Sequence, residues 1–436
     1  MFKKVKVQTF SANLIEQFKS LSVYAFTVFF NAAISFGTFS LLTHHLNEVD
    51  FGIINLYNSA IIFFVPFIGV GVQFILSVDY FKMNHDAFQR HFTNALLIPF
   101  CLCFFFTILC VVGHRLIENR LRVNFFFIAI LPLICLVTVL NEVILNLIRN
   151  KGKHFLFAKY SIYKNLIEIG LTIFLIVVLS FGWRGRLGSS LITSLMIFFV
   201  MCLLIKKWNL YSGDYNKKEA TAILKSGLPF VPERLAIFIL GYSDRFFIDY
   251  YNGTADVGYY SAGAQISIIV TLVIITLNNA FFPFLYKKLS LAIIDYRSVK
   301  KAVLSYIGFM FIVTIFVLIA IPFIFKFFVG PAFLPGEKYA VNLTIGLFFW
   351  AIYNVFIAFL LYNKKNKAIM LISVIGMVVS LFMNFITIRN FGALGATYTS
   401  ITVYFFMAAL CIFFVSKEYD VKRILGFTNG PNRTVC

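Results

Sequence analysis

The 436 residues are 60% hydrophobic and 13% charged, include 56 Phe, and carry a formal net charge of +20 at pH 7. So few charges cannot keep a domain of this size in water, so a soluble globular fold is excluded and lipid is the solvent for most of the chain. Nor does the basic surplus indicate nucleic-acid binding, because the bases gather in short loops on one side of a membrane, where anionic phospholipids at the cytoplasmic face attract them.

A helix needs about 20 apolar residues to cross roughly 30 Å of hydrocarbon, and lipid leaves a backbone amide no partner outside its own helix. Windows of that kind predict an all-α integral membrane protein with twelve transmembrane helices, at approximately 20–42, 52–77, 92–113, 124–147, 157–181, 187–205, 227–249, 258–285, 302–325, 340–362, 367–388 and 393–415. The predicted organisation is a cytoplasmic segment 1–19, an N-lobe 20–205 with six spans, a basic cytoplasmic linker 206–226, a C-lobe 227–415 with six more, and a cytoplasmic tail 416–436.

With the N-terminus inside, 28 of the 38 Lys and Arg fall on the cytoplasmic side, counting Lys159 and Lys164 at the mouth of the fifth span, and eight fall outside. The remaining two, Arg234 and Arg245, lie within the seventh span. This bias satisfies the positive-inside rule and places both termini in the cytoplasm, with Arg115, Arg120 and Arg122 as the local exception. The first apolar run is too long for a cleavable signal core and is expected to stay inserted. None of the seven Cys lies in a predicted external loop, and no CxxC motif pairs with histidines at ligand spacing, so neither disulfides nor a metal site is expected.

The chain is internally duplicated. Asp50-Phe51-Gly52 before the second span recurs as Asp256-Val257-Gly258 before the eighth, Phe181-Gly182 with Gly185 recurs as Phe391-Gly392 with Gly395, and Asn150-Lys151 recurs as Asn363-Lys364. The offsets of 206, 210 and 213 residues each equal six spans, and an even number of crossings preserves orientation. Two parallel six-helix lobes that can rock about a central path are the architecture of alternating access.

Leu46-Asn47-Glu48-Val49-Asp50-Phe51-Gly52, Gly227-Leu228-Pro229-Phe230-Val231-Pro232, Ser243-Asp244-Arg245, Val257-Gly258-Tyr259-Tyr260-Ser261, Gly182-Trp183-Arg184-Gly185-Arg186 and Phe391-Gly392-Ala393-Leu394-Gly395-Ala396 stand in that relation to the spans. Together they resemble bacterial polysaccharide flippases of the O-antigen type, within the superfamily of multidrug, oligosaccharidyl-lipid and polysaccharide exporters. The resemblance runs from about residue 15 to 415. It implies the fold shared with multidrug-and-toxic-compound extruders (MATE) and lipid II flippases. It also implies transfer of an undecaprenyl-pyrophosphate-linked oligosaccharide, such as a lipopolysaccharide O-antigen unit, from the inner to the outer leaflet of a bacterial inner membrane. No cofactor is implied beyond a proton or sodium gradient, and polysaccharide polymerase machinery is the implied protein partner.

Ionisable groups within spans cost several kcal/mol unless they meet water, a partner or a substrate, so these positions are the candidate sites. On a continuous seventh helix, eleven residues at about 100° each amount to three turns plus about 20°, which puts Arg234 and Arg245 on one face roughly 16 Å apart. That face either holds a pyrophosphate in guanidinium forks or is locked by pairs of Arg234 with Glu233 and of Arg245 with Asp249. In the fifth span Tyr160, Lys164 and Glu168 form one stripe, with Lys159 and Arg149 near its mouth. Lys164 and Glu168 either pair with each other, or Lys164 joins a cationic cavity and Glu168, with Glu142 and Asp244, is a candidate for ion coupling. The rivals are a drug/cation antiporter of the same fold, which favours exposed carboxylates over arginines, and a membrane polymerase or ligase, which needs a sizeable external loop this sequence lacks.

Overall fold

The computed structural model describes Val23, residues 26–291 and residues 295–425. The predicted N-terminal segment 1–19, the first residues of the first span and the end of the tail lie outside the described residues. Those described are mostly helical, with no strand among them. In chain order the helices are α1 (Phe26–His45), α2 (Glu48–Gly69), α3 (Val72–Asp79), α4 (His85–Val112), α5 (His114–Leu121), α6 (Phe125–Asn150), α7 (His154–Ile173), α8 (Gly182–Lys207) and α9 (Lys217–Gly227). They continue as α10 (Phe230–Gly241), α11 (Asp244–Asn252), α12 (Thr254–Leu289), α13 (Tyr296–Phe328), α14 (Glu337–Tyr362), α15 (Asn366–Phe391), α16 (Ala393–Ser416) and α17 (Val421–Leu425).

Eleven stretches among the described residues are long and apolar enough to cross a membrane. The seventh predicted span is not among them: it breaks between α10 and α11 at Tyr242-Ser243. At the break the amide of Ser243 donates to Phe238, five residues back, and Phe246 bonds back to Ser243, so the helix loses its register and restarts. The second span is also interrupted. Val70 and Gly71 take positive φ values of 40° and 69° between α2 and α3.

The chain forms two compact units, one made of residues up to Leu46 with Tyr57–Leu235 and the other of Asn47–Leu56 with Ala236 onward. In the first, α6 is the central helix, packed by α3, α4, α7 and α8, and the buried Tyr57 hydroxyl donates to the Phe127 carbonyl at 2.8 Å. In the second, α14 holds that position among α12, α13 and α16. These are the fourth and tenth spans, the same place in each repeat. Close packing of small and apolar side chains holds such helices together, since lipid is itself apolar and provides no hydrophobic drive.

The segment 206–226, expected to be a linker, is not a free tether. Its second half is α9, capped by Asn216 and bound to α4, where Asn94 donates to Glu219 Oε2 at 3.0 Å and His91 Nδ1 lies 2.9 Å from Glu219 Oε1. The boundary between the units falls instead within α10, after Leu235.

The duplication is visible bond for bond. After α6 the amides of Lys151, Gly152, Lys153 and His154 donate to Leu147, Arg149, Ile148 and Gly152; after α14 those of Asn363, Lys364, Lys365 and Asn366 donate to Phe359, Leu361, Leu360 and Lys364. Both turns hold their second residue left-handed, Gly152 at φ 66° and Lys364 at φ 54°. This pairs Lys151, rather than Asn150, with Asn363, a one-residue correction to the sequence alignment. Each unit also carries a hydroxyl pair between its fifth and sixth spans, Thr172 with Ser189 and Thr387 with Thr399, each at 2.8 Å but at different positions of the repeat.

Candidate functional site

Arg234 belongs to the first unit and is half-buried. Its guanidinium lies 4.6 Å from the centroid of the Phe74 ring, which stacks on Phe230 of the same helix as Arg234 at 5.3 Å. The neighbouring Glu233 is exposed, and no ion pair joins the two among the described residues. An aromatic face attracts a cation but does not neutralise it, so Arg234 keeps its charge and most of its donors for something else.

Lys164 in α7 is half-buried and has no carboxylate partner among the described residues. The expected Lys164–Glu168 pair is not formed, because Arg186 reaches Glu168 first, with Nη1 2.8 Å from Oε1. Arg186 lies in the second turn of α8 and also donates at 3.3 Å to the hydroxyls of Thr172 and Ser189. Glu168 is thus committed to a structural pair. Tyr160, on the same stripe, is buried and donates to Asn141 at 3.0 Å.

In the second unit Asp244 and Arg245 form a closed set. Asp244 Oδ1 accepts from the Arg245 amide at 2.9 Å and from its Nη1 at 3.0 Å, Oδ2 accepts from the Tyr260 hydroxyl, and Nη1 also donates to the Gly241 carbonyl at 2.9 Å. Tyr242 and Tyr260 rings lie 5.1 and 5.6 Å from the guanidinium. The expected partner Asp249 instead accepts from the Thr254 hydroxyl at 2.6 Å. The continuous helix on which a single face of Arg234 and Arg245 was expected is not formed: it breaks between them at Tyr242-Ser243.

Glu142 in α6 is half-buried, with neither a hydrogen bond nor an ion pair among the described residues. Arg149 and Lys159 are exposed; Arg149 donates to Asn146 and lies 5.6 Å from the Phe157 ring. The arrangement leaves Arg234, Lys164 and Glu142 as half-buried charges in the first unit that no counter-ion within the described structure satisfies.

Sequence reasoning missed a set of buried amides. Asn31 in α1 donates to Ser161 at 3.1 Å while its buried Oδ1 has no partner, and the buried Oε1 of Gln73 has none either. In the second unit Tyr306, Asn278 and Asn354 form a chain, at 2.7 and 2.9 Å. A lone polar residue amid apolar neighbours, such as Asn31 after Phe29-Phe30, was the available signal.

Residues 18–289 match the family model described as polysaccharide biosynthesis protein. Among curated proteins, the chain is 25% identical over 197 residues to "Lsg locus putative protein 1" of Haemophilus influenzae, covering 44% of this chain and 49% of that protein. A second Haemophilus influenzae protein, an uncharacterized membrane protein, is 26% identical over 144 residues and is matched over 36% of its length. The alignments thus span half or less of these relatives. Among solved structures, the lipid II flippase MurJ in an inward closed conformation superposes with a TM-score of 0.71 at 17% identity, covering 92% of this chain and 89% of that one. An inward-facing multidrug resistance MATE family transporter superposes at 0.68 with 13% identity, over 92% and 96%. The fold is that of these multi-pass membrane proteins.

Proposed function

From a chain that belongs to the polysaccharide biosynthesis protein family, we propose a flippase that carries an undecaprenyl-pyrophosphate-linked oligosaccharide from the inner to the outer leaflet by alternating access. The supporting observation is a division of charge. Glu168 and Asp244 are held by Arg186 and Arg245, whereas Arg234 and Lys164 stand half-buried without a carboxylate among the described residues. Moving pyrophosphate and sugars past hydrocarbon requires protein donors along the path, and guanidinium and ammonium groups suit phosphate oxygens. The prenyl tail needs no such help and stays in lipid.

The same division argues against a cation antiporter, whose load would call for free carboxylates. Glu142 is the exception, and one half-buried carboxyl without a partner among the described residues suits ion coupling better than cation transport. The basic loops orient the protein in a bacterial inner membrane with both ends cytoplasmic. A lipopolysaccharide O-antigen unit is the glycan the sequence resemblance favours, and a polysaccharide polymerase would receive the product.

The test is reconstitution in liposomes with a fluorescent lipid-linked oligosaccharide and a membrane-impermeant quencher, under an imposed proton or sodium gradient. Flipping faster than in protein-free liposomes is expected; equal rates overturn the proposal.

A further inference from the structure

The turn after α6 presents two lysines to one tryptophan. Lys151 Nζ lies 5.1 Å and Lys153 Nζ 5.5 Å from the ring of Trp208, and Lys151 also lies 5.6 Å from the ring of Tyr80. The turn is rigidly placed: Asn150 donates to the Ser77 carbonyl at 2.8 Å, Asn146 to that of Gln73 at 3.1 Å, and Gly152 takes the left-handed conformation that closes it. Among the described residues neither lysine has a carboxylate within ion-pair distance, and the indole N–H of Trp208 and the hydroxyl of Tyr80 have no hydrogen-bond partner. Partial burial and the neighbouring Lys153 push the Lys151 ammonium below its ordinary value, so the two charges repel at a site that holds them together.

The second repeat supplies an internal control. There the same turn, with the same four hydrogen bonds, carries Lys365 at the position of Lys153, and Lys365 is neutralised by Glu418 at 2.7 Å while Tyr419 donates to Asn363 at 2.8 Å. In the first repeat no carboxylate among the described residues plays that part, and Trp208 follows α8 where Glu418 follows α16. Uncompensated like charges with idle donors around them form a receptor for an anion. Their place beside interfacial aromatics, at the end of the spans where bases collect, puts that anion at the lipid headgroup level.

We infer that Lys151, Lys153, Trp208 and Tyr80 form a phosphate-binding site at the basic membrane face of the first unit, taking the phosphate group of a lipid. Two sources share that chemistry, an anionic phospholipid headgroup and the pyrophosphate of a polyprenyl-linked glycan waiting to be moved. Each ammonium contributes a charge-assisted hydrogen bond to the phosphate oxygens, and the indole and phenol donate neutral ones.

The experiment uses the full chain in detergent micelles with Trp183→Phe and Trp350→Phe, which leaves Trp208 as the reporter. It is titrated with inorganic pyrophosphate, with polyprenyl pyrophosphate, and with phosphatidylglycerol against phosphatidylcholine. A saturable change in emission is expected, weakened roughly tenfold or more by Lys151→Gln with Lys153→Gln, and unmoved by removal of two exposed bases of α9, Lys217→Gln with Lys218→Gln. Calorimetry of the same titrations on the chain with all three tryptophans keeps the result independent of the background. Saturation by either pyrophosphate but not by phosphatidylglycerol identifies the glycan carrier as the source, and saturation by phosphatidylglycerol identifies the headgroup. No saturable response to any probe, or an equal loss in the α9 variant, overturns the inference. Binding is read without transport, so its failure and that of the flippase reading are distinguishable.

Discussion

Arg186 Nη1 lies 2.8 Å from Glu168 Oε1, a pair that ties the fifth span to the sixth and removes Glu168 from the groups free to meet a substrate or a coupling ion. Glu168→Gln would leave a largely enclosed guanidinium with only the Thr172 and Ser189 hydroxyls. The expected cost is about 1–3 kcal/mol, read as a lower thermal midpoint in detergent. Transport per folded molecule should be retained; a fall in transport with an unchanged midpoint would assign Glu168 to the path instead.

Arg234 is expected to behave in the opposite way. With an aromatic neighbour but no carboxylate among the described residues, it has little folding role to lose, so Arg234→Ala should lower transport at least roughly tenfold at unchanged membrane insertion. Lys164→Gln should act in the same direction. Arg234→Lys should restore only part of the activity, since an ammonium cannot make the two-pronged contact. Equal transport rates at equal insertion would remove both residues from the site.

Two glycines mark the place where the repeated motifs meet. A Cβ on Gly52 would lie 2.1 Å from the Thr254 carbonyl oxygen, and one on Gly258 would lie 2.1 Å from that of Glu48, a reciprocal approach of two helix starts. Both neighbours are backbone and cannot swing aside. Gly52→Ala and Gly258→Ala should each cost about 1–3 kcal/mol or more, seen as reduced yield of folded protein. Gly170→Ala, in open space, should be tolerated or stabilise by about 0.5–1 kcal/mol.

Asp244→Asn should destabilise more than Glu168→Gln, because it leaves the buried Arg245 charge with a carbonyl and two rings in place of a carboxylate. About 3 kcal/mol is expected, measured by thermal unfolding. A variant as stable as the native chain would argue that Arg245 is solvated in the protein at work.

Glu219 anchors α9 through His91 and Asn94. Glu219→Gln should raise hydrogen exchange in α9 and leave the amides of α6 protected, since only the docking of one short helix is weakened. Unchanged exchange in α9 would show that Asn216 capping alone holds it.

Much of the fold was legible in the chain. Composition and the length of apolar runs dictated helices in lipid, and recurring glycine turns disclosed the duplication, because each of these depends on local chemistry or on spacing. The candidate site was legible only as an inventory. Arg234, Lys164, Glu142, Glu168, Asp244 and Arg245 all stood out as charges where lipid should be, but their roles divided on partners remote in sequence or hidden by an assumed straight helix. Arg186, one span on in the chain, was the residue that mattered to Glu168, and the break at Tyr242-Ser243 removed the straight helix on which a shared face of Arg234 and Arg245 depended.

The sequence by itself determined that this protein lives in a membrane and that it is built twice, since hydropathy and repetition are properties of the linear chain. Only the tertiary structure decided which charges are spent on each other and which remain. That is settled within a few ångströms by side chains from different helices: Glu418 reaches Lys365 in one repeat, while among the described residues Lys151 and Lys153 share a tryptophan and no carboxylate in the other.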